Sequence, residues 1–112
     1  MNHDEFAAYP SVRNYIADLT GKGLNEAERL ERLAVLEQFC DFVGRNPEQM
    51  IDEIFDVETQ KYRKRNFYTE QVKQFSAQIS GGWSAQTARG NIIRGFFIAN
   101  GRRLPNEKPA WL

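Results

Sequence analysis

Residues 25–49 read NEAERLERLAVLEQFCDFVGRNPEQ, and this stretch decides the fold. Asn25 stands where an N-cap accepts the amide three residues on, and Glu28 is the N3 residue that returns the bond. This is a capping box with Asn in place of Ser or Thr. Leu30, Leu33, Leu36, Phe39, Cys40 and Val43 then recur at helical spacing, so one stripe of the helix faces a core. Gly44 supplies a left-handed stop. The next helix begins within two residues: Asn46 caps, Pro47 takes N1 and Gln49 takes N3. Met50, Ile51, Ile54 and Phe55 form its apolar face.

The same grammar extends outward. Asp56 is placed to cap a long helix running to about Ser80, with Tyr68, Val72, Phe75 and Ile79 at i, i+4, i+7 and i+11. Gly81-Gly82 ends it. Ser84 caps a last helix that buries Ala88, Ile92, Ile93, Phe96 and Phe97 and stops at Asn100-Gly101. Trp83, just before that cap, reads as a hydrophobic staple. Upstream, Val12, Tyr15, Ile16 and Leu19 mark a short amphipathic helix in residues 10–20, ended by Gly21, with Gly21-Lys22-Gly23 as a flexible joint. The fold class is all-α, a small bundle of four principal helices, or five with residues 10–20, and no strand. Residues 1–23 are expected to be an N-terminal extension, 24–104 the helical domain, and 105–112, with two prolines, a linker or docking strand.

Composition narrows the function. The 112 residues fit one domain, and 41% hydrophobic with 12% aromatic content supports a packed core. No apolar run approaches the roughly 20 residues of a membrane span, and no signal-peptide pattern opens the chain. Cys40 is the only cysteine, so there is no internal disulfide and a reducing compartment is expected. It falls in the core stripe and reads as a packed thiol. His3 is the only histidine, which argues against a Cys–His nucleophile or a His-based metal site. No Gly-rich phosphate loop precedes a helix with a Lys. Carboxylates such as Asp52–Glu53 and Glu28–Glu31 read as solvated faces. No enzyme site, metal or cofactor is expected.

The neutral total of 15 Lys and Arg against 15 Asp and Glu hides a split. Residues 1–58 hold thirteen carboxylates against five basic side chains, a net −8, and residues 59–112 hold ten against two, a net +8. Either the basic half meets a polyanion, or the two halves neutralise each other in the fold.

The basic half contains three groups. Lys61, Arg63, Lys64 and Arg65 lie on the first half of the predicted long helix, where the macrodipole disfavours positive charge; a bound anion would relieve that, while a solvated helix start is the plain alternative. On the last helix, Thr87, Asn91 and Arg94 share one polar strip opposite the aromatic side, and Ser84 with the first free amides offers a phosphate seat. Gly90 and Gly95 flank the strip at a cost of roughly 1 kcal/mol each relative to Ala, for close approach either of an outside surface or of a neighbouring helix. Arg89 continues the core stripe and reads as a snorkelling side chain. Arg102, Arg103 and Lys108 extend the positive surface into the tail, where Trp111 stands as an anchor.

The order of these elements has a likeness. A capped helix with Leu36, Phe39 and Phe42 precedes Asn-Pro-Glu opening a short helix; a long charged helix follows, then Ser84-Ala-Gln-Thr87 opening a helix that closes on Arg94-Gly-Phe96-Phe97, Asn100 and Leu104-Pro105. Over residues 24–105 this resembles the N-terminal, SAM-like core-binding domain of tyrosine recombinases (phage integrases), particularly archaeal-type members. The resemblance implies a small helical bundle forming half of a clamp on recombination-site DNA. It makes Lys61, Arg63, Lys64, Arg65, Ser84, Thr87, Asn91, Arg94, Arg102 and Arg103 DNA-contact candidates. Strand cleavage would belong to a separate C-terminal catalytic domain, with residues 105–112 leading toward it. Double-stranded DNA, that domain and other recombinase protomers are the implied partners, in the cytoplasm of a prokaryote at the nucleoid. The rival expectation is a helical protein–protein interaction module that self-associates through its acidic and basic faces.

Overall fold

The computed structural model describes residues 3–104. The expected linker at 105–112, with Lys108 and Trp111, lies outside the described residues. In chain order the elements are α1 (His3–Ala8), α2 (Pro10–Gly21), α3 (Glu26–Val43), α4 (Pro47–Ile54), β1 (Phe55–Asp56), β2 (Lys61–Tyr62), α5 (Arg65–Ser76) and α6 (Gly82–Ala99). The molecule is a small, mostly helical domain.

Both capping boxes form. Asn25 Oδ1 accepts the Glu28 amide at 2.9 Å and Glu28 Oε1 accepts the Asn25 amide at 3.0 Å. Asn46 and Gln49 exchange the same pair of bonds at 2.8 and 2.9 Å. Gly44 takes φ 71° and its amide closes α3 on the Cys40 carbonyl at 2.9 Å. Each box satisfies two amides that a helix start otherwise leaves open.

The core is built on α6, against which α2, α3 and α5 pack. Phe96 and Phe97 are fully buried. Tyr15 meets Phe96 edge-on at 6.0 Å, Tyr68 meets Phe97 at 5.6 Å, and Phe39 meets Phe75 at 5.3 Å, so rings from four helices share one cluster. The Tyr15 hydroxyl donates to the Ile92 carbonyl at 2.9 Å, and burial pushes its phenol up to about 12. Cys40 is buried on α3; burial, with Asp41 and Glu37 nearby, pushes its thiol up to about 12. Leu30, expected at the head of the α3 stripe, is 39% exposed.

The structure corrects several expectations, the absence of any strand among them. The N-terminal stretch carries two helices, and Phe6, Val12, Tyr15 and Leu19 complete the core. Besides the Tyr15 bond, it is tied in by the Ser11 amide donating to Glu48 Oε1 at 2.7 Å and by Asn100 Nδ2 donating to the Ser11 carbonyl at 3.0 Å. With α1 and α2 the described residues hold six helices.

The helix expected from Asp56 to Ser80 is interrupted by a hairpin, in which Phe55 pairs with Tyr62 and Asp56 with Lys61. Asp56 does accept amides two and three residues on, from Glu58 at 2.9 Å and Thr59 at 3.4 Å, but the chain closes a turn there and does not continue as helix. Gln60 and Lys64 adopt left-handed φ values of 56° and 52°. A run of four cations is a poor first turn for a helix, both by mutual repulsion and against the macrodipole. The helix therefore opens only at Arg65, and Ile79 falls beyond its end.

At the far end, α6 starts at Gly82 with Gly81 as its cap, not at Ser84. Gly81 and Gly82 take φ values of 112° and 78°, which suit a residue without a side chain. Trp83 consequently sits in the first turn and is 71% exposed, so it staples nothing. Ala88 is exposed as well.

Candidate nucleic-acid interface

The hairpin brings the basic run onto a corner of the molecule. After β2, the Arg63 amide donates to the Ile54 carbonyl at 2.7 Å, and Lys64 in its left-handed conformation turns the chain into α5. From there α5 and α6 run antiparallel: Tyr68 lies against Phe97, Arg89 over the Phe75 ring at 3.8 Å, and Ser76 beside Gly90. The first turn of α5 is thus held next to the segment leaving α6. Arg65 Nε donates to the Arg103 carbonyl at 3.1 Å, and the Arg102 guanidinium lies over the Phe55 ring at 4.6 Å.

Six of the ten candidate residues therefore gather at one end: Lys61 in β2, Arg63 and Lys64 just after it, Arg65 at the start of α5, and Arg102 and Arg103 in the segment leaving α6. The other four do not join them. Ser84, Thr87, Asn91 and Arg94 run along α6 away from that end; at 1.5 Å per residue, Ser84 lies about 22 Å from Ala99. Ser84 and Asn91 are exposed, while Thr87 and Arg94 are half-buried. Ser84 does not cap the helix, so the expected phosphate seat of cap and free amides is not formed around it. Arg94 folds back, donating to Asn91 Oδ1 at 3.1 Å.

Of the two glycines flanking that strip, internal packing accounts for Gly90 and not for Gly95. A Cβ at Gly90 would come within 2.7 Å of Ser76 Oγ and 2.8 Å of Arg94 Nη1, so a side chain there must displace both. At Gly95 a Cβ would meet the Tyr15 ring at 3.5 Å, an ordinary contact.

Charge at the hairpin end divides into two kinds. Arg63 pairs with Asp56 at 3.5 Å and Lys64 with Glu53 at 3.3 Å. Both carboxylates come from the acidic half, so part of the split is neutralised within the fold. Glu53 is a hub: it also takes Arg45 Nε at 3.0 Å and the Tyr68 hydroxyl at 2.5 Å. Burial draws its carboxyl upward, but Tyr68, Arg45 and Lys64 together outweigh that and hold it below the usual carboxylate range. Burial, then the bond to Glu53, pushes the Tyr68 phenol far above its usual value. Asp56, partly desolvated, is likewise held low by the Glu58 and Thr59 amides and by Arg63.

Among the described residues, Lys61, Arg65, Arg102 and Arg103 make no ion pair. Lys61 and Arg103 are exposed. Arg65 is placed over the Tyr62 ring at 4.2 Å, and Tyr62 meets Phe55 edge-on at 5.1 Å. Tyr62 and Phe55 were not among the expected site residues; the place of Tyr62 within the basic run 61–65 is the sequence signal for the first of them.

Beside this end, Asp52, Glu53, Phe55, Asp56, Val57, Glu58, Arg63 and Lys64 line a groove of about 550 Å³. Of its four carboxylates, Asp56 and Glu53 already engage its two cations, Arg63 and Lys64, so it adds no positive surface. Among the described residues no group of three or more His, Cys, Asp or Glu is placed to hold a metal ion. No helix of those residues is long and apolar enough to cross a membrane. Comparison of the chain with protein-family models, with curated proteins and with solved structures finds no match to any of them.

Proposed function

We propose that this domain binds duplex DNA through its hairpin end, largely by phosphate contacts. One observation carries the reading: two basic segments some forty residues apart in sequence meet there, Arg65 Nε donating to the Arg103 carbonyl at 3.1 Å, with four cations making no ion pair among the described residues. Lys61, Arg65, Arg102 and Arg103 are its principal contacts. Arg63 and Lys64 are reached after exchange of their carboxylates, and Ser84, Thr87, Asn91 and Arg94 are peripheral.

The resemblance to the SAM-like core-binding domain of tyrosine recombinases sets this in a larger scheme. On that reading the domain clamps and positions recombination-site DNA at the nucleoid, alongside other protomers. Cutting and rejoining belong to a catalytic domain of the same protein, so the domain itself is not an enzyme. The binding test is a fluorescence-anisotropy titration of a DNA duplex at about 50 and 200 mM salt. Four phosphate contacts predict a slope of log K on log salt of roughly −3 to −4. A chain that fails to bind at the lower salt overturns the reading.

A second reading, self-association, is favoured by the exposed carboxylates Glu26, Glu31 and Asp41 on α3, which lie outside the ion pairs above. Salt-sensitive assembly in light scattering without DNA would select it.

A further inference from the structure

Two of the unpaired cations are held differently from every other basic residue at the hairpin end. Arg63 and Lys64 are paired with carboxylates, Lys64 sharing Glu53 with Arg45. Lys61 and Arg103 are exposed, with side chains that make no hydrogen bond or ion pair among the described residues. Arg65 and Arg102 are half-buried, yet aromatic rings, not anions, hold them. The Arg65 guanidinium stands 4.2 Å from the centre of the Tyr62 ring, and the Arg102 guanidinium 4.6 Å from that of Phe55. The two rings meet each other edge-on at 5.1 Å across the β1–β2 ladder, Phe55 and Tyr62 being register partners. The order Arg65, Tyr62, Phe55, Arg102 is thus a single stack that ties the first turn of α5, both strands and the exit from α6.

We infer that Arg65 and Arg102 are the oriented phosphodiester forks of this surface and that Tyr62 and Phe55 are their positioning residues. This rests on the DNA-binding reading and assigns which side chains carry it. The physical argument has three steps. A ring beneath a guanidinium restrains it by cation–π attraction while leaving its full positive charge. The Nε bond from Arg65 to the Arg103 carbonyl removes a further rotation and leaves its terminal nitrogens for a ligand. A fork restrained in advance loses less conformational freedom on binding, and two parallel N–H groups match two phosphate oxygens in a way that an ammonium does not.

Geometry is therefore separable from charge. Arg65→Lys keeps the charge and loses the fork; Arg65→Gln loses both; Tyr62→Leu keeps every charge and removes the platform. Each is titrated by anisotropy against the same labelled duplex at about 50 and 200 mM salt, with a thermal melt to confirm folding. The expected result is that Arg65→Lys weakens binding about tenfold with the salt slope nearly unchanged. Tyr62→Leu should weaken it several-fold, again at constant slope, and Arg65→Gln should weaken it most and lower the slope by about one. If Arg65→Lys binds within about twofold of the unaltered chain while Arg65→Gln does not, charge alone matters and the inference is overturned. Should Tyr62→Leu disturb folding, the Arg65 pair decides by itself. If the unaltered chain does not bind at low salt, the DNA-binding reading fails first and this inference with it.

Discussion

The hairpin end and the outer strip of α6 carry the two groups of candidate contacts, and they are built in opposite ways. The α6 strip comes from a single helix: its residues share a face because the helix period puts them there. Its one cation folds back onto Asn91, and its buried glycine is used up by the packing of α5. The hairpin end is assembled from three parts of the chain, and four of its cations have no carboxylate partner among the described residues. A shared helical face is a weak indicator of a binding surface. Convergence of like charges from separate segments is a stronger one, because bringing them together costs energy that an external anion returns.

Three sets of variants bear on this contrast. The largest effect is expected from neutralising the hairpin end: Lys61→Gln, Arg65→Gln and Arg103→Gln together should weaken DNA binding by about 100-fold and flatten the salt slope by about three. Ser84→Ala, Thr87→Ala and Asn91→Ala together should change it by less than about threefold. Equal losses in the two sets, measured in one titration series, would erase the distinction.

Next come the two glycines. Gly90→Ala must displace both Ser76 and Arg94 and should cost about 1–2 kcal/mol even after the better helix propensity of alanine. Gly95→Ala has ordinary room and should be neutral or gain up to about 1 kcal/mol. Urea unfolding of both variants decides it; a stabilised Gly90→Ala would mean that the inner face of α6 is looser than its contacts indicate.

The smallest effect concerns the Glu53 hub. Because its carboxyl is held below the usual range in the fold, it contributes stability that is present above the unfolded value near 4.5 and is lost as pH falls through the folded one. Asp56 acts in the same direction. Stability of the parent chain should therefore fall on acidification below about pH 5 more steeply than that of Glu53→Gln, and the two curves should converge at the acid end. Parallel curves would remove Glu53 from the account.

Much of this architecture was legible before any coordinates. Asn25 with Glu28 and Asn46 with Gln49 were readable because a cap acts on amides only three residues away. The stops at Gly44 and Asn100-Gly101 were readable for the same local reason. Residues 56–65 were not, since the Asp56 side chain serves a turn as well as a helix start, and nothing in the types Gln60 and Lys64 announces a left-handed backbone. The start of α6 was misplaced because a serine is a better cap by rank than the Gly81 that takes the role. Phe6 and the full extent of the N-terminal packing depend on α6 needing cover, a tertiary demand. The site followed the same division. The charges at 61–65 and 102–103 could be counted in the sequence, but their meeting depends on α5 and α6 running antiparallel.

The single thiol of the chain has a practical consequence. Cys40 is sealed in the core and protonated across the neutral range, so a maleimide or disulfide reagent reaches it only when α3 opens. The rate of its labelling is a clock for opening of the fold, readable by mass at very low protein concentration. Added DNA would slow that clock to the extent that binding holds the helices together.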